Sequence, residues 1–379
     1  MTNIELFYFT GKCLTIEEHP GFRKEIIDTI TTDSFDWEKF IELCSNNLIL
    51  PVIYLKFKSH EILEYLPEEV SEFLKEIYDL NQERNNQILN QLREVTNILN
   101  ENNIFPLYLK GAGHLLDGLY ADIGERMIGD IDMLVPEKDY IIAANLIIQK
   151  LGYSADIPEY FDVSKMKHFP RLYKIGQAAD VEIHRLLITN QSNSCLNPDN
   201  VFKEKKAAME LNGCYVLSHK HSVILNFIHG QLEHMGQLFG IIPLRDLYDL
   251  YLLSQMYEVS LTLKEIRQRN KAIAYYVFAG YVLGLPGKLY SEENYQSRIL
   301  RRKHQLNMDS KIFYYTYRTI VYFSQRILVG YIVQFFQSIY SKKIRKSVFR
   351  RITNKKWYAA HIHSFSEHFK NNQKKSSEI

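Results

Sequence analysis

Apolar residues recur at three- and four-residue steps through the first hundred positions of this chain. Trp37, Phe40, Ile41 and Cys44 form one stripe, and Val70, Phe73, Leu74, Ile77 and Leu80 another. Such spacing predicts helices. Residues 68–103 contain neither Gly nor Pro, which predicts one long helix or two in series. Residues 1–103 therefore read as a helical packing scaffold.

The period shifts at Ile104. Phe105-Pro106-Leu107-Tyr108-Leu109 is short and apolar and predicts a strand. Lys110-Gly111-Ala112-Gly113 reads as a turn and residues 114–120 as a helix. Residues 130–135 predict a second strand. Pro136 opens a helix to about Lys150, since proline suits the first helical turn, and Gly152 ends it. Residues 153–155, 169–175 and 179–187 are further strand candidates. The fold class is α+β, with a small mixed β-sheet core at 104–190 flanked by helical regions at 1–103 and 191–290. Helices are expected over 218–230, 244–257 and 263–283. After a polar break at 291–294 comes an aromatic and basic helical tail, 291–379, whose last residues, 371–379, are expected to be disordered.

Composition changes this picture little until charge is followed along the chain. With 46% hydrophobic and 24% charged residues, the chain falls in the soluble globular class. The net charge of +2 conceals 18 Lys+Arg against 3 Asp+Glu from Arg298 onward, and 28 against 41 before it. Cys13, Cys44, Cys195 and Cys214 lie far apart without a C-x-x-C pair, so neither a disulfide framework nor a structural zinc site is indicated. The N-terminus lacks the basic and apolar regions of a signal peptide. A cytoplasmic protein is expected.

Chemistry concentrates at Gly129-Asp130-Ile131-Asp132, which leads into Met133-Leu134-Val135. A strand sends residues i and i+2 to one face, so Asp130 and Asp132 project together with Cα atoms roughly 7 Å apart. Two like charges there are unfavourable unless a cation lies between them. A hard divalent ion takes oxygen ligands and keeps part of its shell for a substrate phosphate. In Val181-Glu182-Ile183-His184 the same alternation puts Glu182 and His184 on one face. A third carboxylate on a neighbouring strand would complete a cluster able to hold two such ions. Asp180 competes for that role. Glu182 is preferred because Val181 and Ile183 make the opposite, buried face. The glycines of Lys110-Gly111-Ala112-Gly113 allow close backbone approach to a phosphate, and Lys110 adds a point charge.

Together these segments resemble nucleotidyltransferases of the DNA polymerase β-like superfamily, and more closely a family of bacterial proteins catalogued as uncharacterised nucleotidyltransferases. The resemblance rests on Leu109-Lys110-Gly111, the run from Leu119 to Arg126, Gly129 to Val135, and Glu182-Ile183-His184. It extends to the Asn-rich stretch 81–90, to His229 and to residues 244–249, covering roughly 30–260. It implies Asp130, Asp132 and Glu182 as catalytic metal ligands. It implies Lys110, Gly111, Gly113, Arg126 and His184 as nucleotide-binding residues, with Gly111 facing the triphosphate and Lys110 and Arg126 as charge clamps. The implied cofactor is Mg²⁺, as two ions, with Mn²⁺ as a substitute. The implied reaction moves an NMP group from an NTP, ATP foremost, to an acceptor hydroxyl that the sequence does not identify. Ala112 stands where many members carry Ser or Gly, so a serine contact to phosphate is missing.

Other features have blander readings. His219, His221, His229 and His234 do not share one helical face, and only His229 is expected to face the cleft. Arg245 and Asp249 read as an i,i+4 structural pair. Residues 312–340 read first as a buried helix pair. The sharper reading is an interfacial segment whose basic flank contacts an anionic membrane or an acidic surface through residues 298–356; nucleic acid ranks lower. Two function classes stand beside the enzyme: a catalytically inactive nucleotide-binding, antitoxin-like or scaffold protein, and a membrane-surface assembly factor.

Overall fold

A computed structural model of the chain describes residues 1–157, 162–189, 194–324 and 330–352. The chain divides into two units, Met1–Arg301 and Arg302–Ile379.

Four helices open the first unit: α1 (Asn3–Leu14), α2 (Pro20–Ile30), α3 (Trp37–Asn46) and α4 (Leu50–Ser59). Thr2 and Glu5 form a reciprocal capping box on α1, and Asp36 caps α3 through Lys39 N–H. Phe40 and Phe57 stack with centroids 6.3 Å apart. The Gly-free stretch forms a single helix, α5 (Glu68–Asn100). Its buried face is rotated from the expected stripe. Phe73 and Leu80 are exposed, whereas Leu74, Tyr78, Asn81, Asn85, Ile88, Leu92, Val95 and Leu99 point inward. The polar members Asn81 and Asn85 are satisfied there by backbone carbonyls of the 123–126 loop, which leads into β2.

Five strands form one sheet: β1 (Leu107–Tyr108), β2 (Asp130–Leu134), β3 (Asp180–His184), β4 (Lys206–Ala207) and β5 (Tyr215–Val216), in the order β3-β2-β1-β5-β4. The pairings β1/β2 and β4/β5 are antiparallel, and β1/β5 and β2/β3 are parallel. The sheet is mixed, as expected. The candidates at 153–155 and 169–175 reduce to isolated bridges, Ser154 with Tyr173 and Leu172 with Val181. One face of the sheet is closed by α5 and by α7 (Tyr140–Leu151), which Gly152 ends at φ +72°. The Lys110–Gly113 turn is instead the first turn of α6 (Lys110–Leu116). A Cβ on Gly113 would lie 2.6 Å from the Tyr108 carbonyl oxygen, so a glycine there lets α6 fold back onto β1.

The chain then returns to helix: α8 (Pro198–Lys203), α9 (His219–Phe227), α10 (Gly236–Phe239), α11 (Leu244–Met256) and α12 (Arg269–Val282). The far end of this series closes against α1, where Thr15 Oγ1 donates to the Leu283 carbonyl at 2.7 Å. A last helix, α13 (Tyr295–Asp309), runs across the boundary between the units.

The second unit contains α14 (Lys311–Phe323), α15 (Gly330–Tyr340) and α16 (Lys342–Ile352). The expectation of a buried pair fails here: Ile312, Ile320, Phe335, Phe336, Ile339 and Tyr340 are exposed. The last basic residues of the 298–356 segment, from 353 on, and the tail at 371–379 lie outside the described residues. Among the described residues no single helix is long and apolar enough to cross a membrane. The helices α3 and α4 pass that test only as a pair bent by 120°, and Phe40, Cys44, Val52, Ile53 and Phe57 of that pair are buried in the core.

Candidate functional site

The site is built on the parallel pairing of β2 with β3. Register sets Asp130 beside Asp180, Asp132 beside Glu182, and Leu134 beside His184. Between them Ile131, Met133, Val181 and Ile183 point to the other face and are fully buried. A slip by one residue would drive the carboxylates into that core, so the apolar residues fix the position of the acids.

Asp132 is the hub. Its Oδ1 accepts from Lys110 Nζ at 2.7 Å and lies 2.8 Å from His184 Nε2. The same His184 nitrogen is 3.6 Å from Glu182 Oε2. On the outer side, Arg171 Nη2 reaches Glu182 Oε1 at 2.9 Å and Asp130 Oδ2 at 3.2 Å, and Nη1 lies 3.7 Å from Asp180 Oδ2.

Burial would raise the pKa of Asp132, but His184 and Lys110 outweigh it and hold the carboxyl well below the usual range. The His184 hydrogen bond, against burial, brings Glu182 down to about 2. Asp130 goes the other way, pushed up by burial more than Arg171 lowers it, with Glu182 and Asp132 adding repulsion. Burial lowers His184, and its bonds to Asp132 and Glu182 more than reverse that. The result is a strongly anionic inner pair beside a carboxyl poised higher.

These residues fit a cation. Ligand atoms of Asp132, Glu182 and His184 lie within 4.8 Å of one another. Two carboxylates and an imidazole form a donor set for a divalent ion. The positions between the acids are held by Lys110 and Arg171, as expected where carboxylates converge.

The glycine turn sits above this cluster. Gly111 and Gly113 are both buried, and Lys110 has φ +50°. A left-handed lysine at the head of a helix is uncommon backbone and stores strain beside the acids. Arg126 has partners the sequence did not suggest. Its Nη2 donates to Asp249 Oδ2 at 2.8 Å and its Nε to Asp249 Oδ1 at 3.1 Å, with both side chains buried. Tyr120 hydroxyl also donates to Asp249. The expected Arg245–Asp249 pair is thereby corrected: Arg245 lies 3.6 Å from Asp246 instead, because Asp249 turns inward to Arg126. The Arg126 Nη1 atom stands 3.5 Å from where a Gly111 Cβ would be, so this pair lies beside the glycine turn.

His229 lies in a π-helical turn, Ile228–Glu233, that continues α9. Such turns re-aim side chains and recur at functional sites. Its ring packs against His234 with centroids 4.2 Å apart, and burial, then the charges of Lys110 and His234, bring His229 down to about 2.

Several contributors escaped the sequence reading. Asn81 donates to the Gly124 carbonyl at 2.7 Å, and Asn85 to the Ile123 and Arg126 carbonyls at 2.6 and 2.8 Å. Gln91 donates to the Ala179 carbonyl at 2.5 Å, next to β3. Thus α5 holds the segments that lead into both acidic strands. The Asn-rich composition of 81–90 was the available signal. Arg171 had no signal beyond its place in a strand-like stretch, since its partners lie 9 to 41 positions away.

A family model described as an uncharacterised nucleotidyltransferase matches residues 33–291. Since it spans more than half of the chain, the chain belongs to this family. No curated protein and no solved structure gives a match.

Proposed function

We propose that this chain is a metal-dependent nucleotidyltransferase that moves an NMP group from an NTP, ATP foremost, to an acceptor hydroxyl and releases pyrophosphate. The observation that supports it best is the β2/β3 register, which sets Asp132 beside Glu182 with His184 bridging them. Asp130, Asp132 and Glu182 are the proposed ligands for Mg²⁺, as two ions, with Mn²⁺ accepted; His184 is a further donor that suits Mn²⁺. Bound there, the metal would supply charge stabilisation for the attacking and leaving oxygens. The protein's own share is positioning. Lys110 neutralises charge at Asp132, Gly111 gives the triphosphate access to backbone, and Arg126 with Asp249 keeps that turn in place. We assign the chemistry to segment 104–190, with the flanking helical segments holding it, in a reducing cytoplasm that suits four free cysteines.

The expected result is incorporation of label from an α-labelled NTP into a product, dependent on Mg²⁺ or Mn²⁺, when the protein is incubated with a cell extract. Identification of the product fixes nucleotide and acceptor together. Nucleotide and metal binding without incorporation from any NTP would support the inactive, binding-module reading in its place.

A second reading concerns the second unit. Exposed Phe335, Phe336, Ile339 and Tyr340 stand with exposed Lys342, Arg345 and Lys346, the combination that favours an anionic lipid surface. Such binding would place the protein at the inner face of the membrane. Full-length protein is expected to sediment with phosphatidylserine vesicles and not with phosphatidylcholine alone. At ~1 kcal/mol per basic residue, changing Lys342, Arg345 and Lys346 to Gln lowers partitioning by about 100-fold. Partitioning indifferent to lipid charge overturns this reading.

A further inference from the structure

Arg171 occupies an unusual position: one guanidinium spans Asp130, Asp180 and Glu182, at 3.2, 3.7 and 2.9 Å. Two of those three acids are proposed metal ligands. A divalent ion at Asp130 and Glu182 would use the same oxygen lone pairs and would carry like charge within a few ångströms of the guanidinium. Arg171 and the metal therefore compete for these acids.

The side chain is free to yield. It is 51% exposed, and its hydrogen bonds run to Asp130 and Glu182. Its backbone is held in place, since Leu172 N–H donates to the Val181 carbonyl at 2.9 Å and Val181 N–H to the Leu172 carbonyl at 2.8 Å. A fixed backbone with a releasable head gives a short swing at constant anchor. The other arginines of the region differ: Arg126 is locked in a buried pair, and Arg84 is spent on the carbonyls of Ile128 and Ala178.

We propose that Arg171 exchanges partners during binding, from the Asp130 and Glu182 carboxylates in the resting protein to the triphosphate of the incoming metal–nucleotide. The inference rests on the nucleotidyltransferase reading and adds to it a specific phosphate ligand. The exchange is favoured electrostatically. The metal neutralises the carboxylates that held Arg171, while the triphosphate brings anionic oxygens whose spacing suits a planar guanidinium fork. In the resting state the same arginine offsets repulsion among four carboxylates and lets the site fold without metal.

Titration calorimetry on full-length protein separates the two halves of the exchange, using Mn²⁺ alone and then a non-hydrolysable ATP analogue with Mg²⁺. Arg171→Ala is expected to bind Mn²⁺ alone about tenfold more tightly and the metal–nucleotide about tenfold more weakly, the scale of one charge-assisted bond. Arg171→Lys should recover part of the nucleotide affinity. A purely structural role would move both affinities in one direction, and that result, or no change in either, overturns the proposal. Arg171→Gln, which keeps hydrogen-bonding capacity without charge, serves if the alanine variant does not fold, with the same opposed shifts expected. Wild-type protein that binds neither Mn²⁺ nor the nucleotide analogue would overturn the nucleotidyltransferase reading itself. Wild-type binding of both with unopposed shifts in the variants would overturn the role of Arg171 alone.

Discussion

Asp132→Asn abolishes nucleotidyl transfer while the chain remains folded: this is the largest functional effect expected of a single substitution. Asp132 is the carboxylate on which Lys110 and His184 converge, and it is held ionised by them against burial. An amide of the same shape keeps the packing on β2 but removes the charge that would hold a metal. Metal-borne stabilisation of transition-state charge amounts to several kcal/mol, so a loss of at least about 10³-fold is expected. Product formation from an α-labelled NTP measures it, with circular dichroism as the check on folding. Activity retained in both Asp132→Asn and Asp130→Asn would end the proposed mechanism.

The largest effect on stability is expected at Arg126 and Asp249. Both side chains are less than a tenth exposed, and they pair through two hydrogen bonds. Removing one partner leaves the other charge buried without compensation, which costs about 3–5 kcal/mol. For a domain with 5–15 kcal/mol in total that is a large fraction. Arg126→Ala and Asp249→Ala should each lower the denaturation midpoint strongly. The double variant should lose clearly less than the sum of the two, the sign of a coupled pair. Additive losses would show that the two residues act independently. The pair also sets a pH dependence. Burial raises Asp249, but Arg126 and His114 hold it below the ordinary carboxylate range. Its contribution is therefore complete above the unfolded-state value of about 4 and is lost as pH falls through the lower, folded-state value. The Asp249→Ala variant should show a flatter acid limb than wild type.

Much of the site could be read from residue order. Period-two alternation over residues 130–134 and 180–184 named both acidic strands and told which side chains would share the open face. The preference for Glu182 over Asp180 came from the flanking Val181 and Ile183, which are indeed in the core. The family resemblance joined these pieces. Other parts were illegible for definite reasons. The stripe on α5 was misplaced because Asn81, Asn85 and Gln91 are buried for the sake of carbonyls in segments 123–126 and 179. No helical periodicity of apolar residues reveals a buried amide. Lys110–Gly113 reads as a turn from its glycines, yet it is the first turn of α6, where the close approach of the Tyr108 carbonyl leaves no room for a Cβ on Gly113. The tail was expected to bury its aromatics, and no single-chain pattern says whether a partner surface is near enough to cover them.

The sequence by itself determined the two acidic strands, the two carboxylates of the D-x-D, and the family to which the chain belongs, because these depend on spacing within a few residues. Only the tertiary structure decided that β3 lies parallel beside β2, that Asp249 answers Arg126 across 123 positions, and that Arg171 rests among the acids. Those contacts are set by sheet register and helix packing: burial leaves Arg126 and Asp249 no solvent to turn to, and the convergence of carboxylates on adjacent strands draws in Arg171.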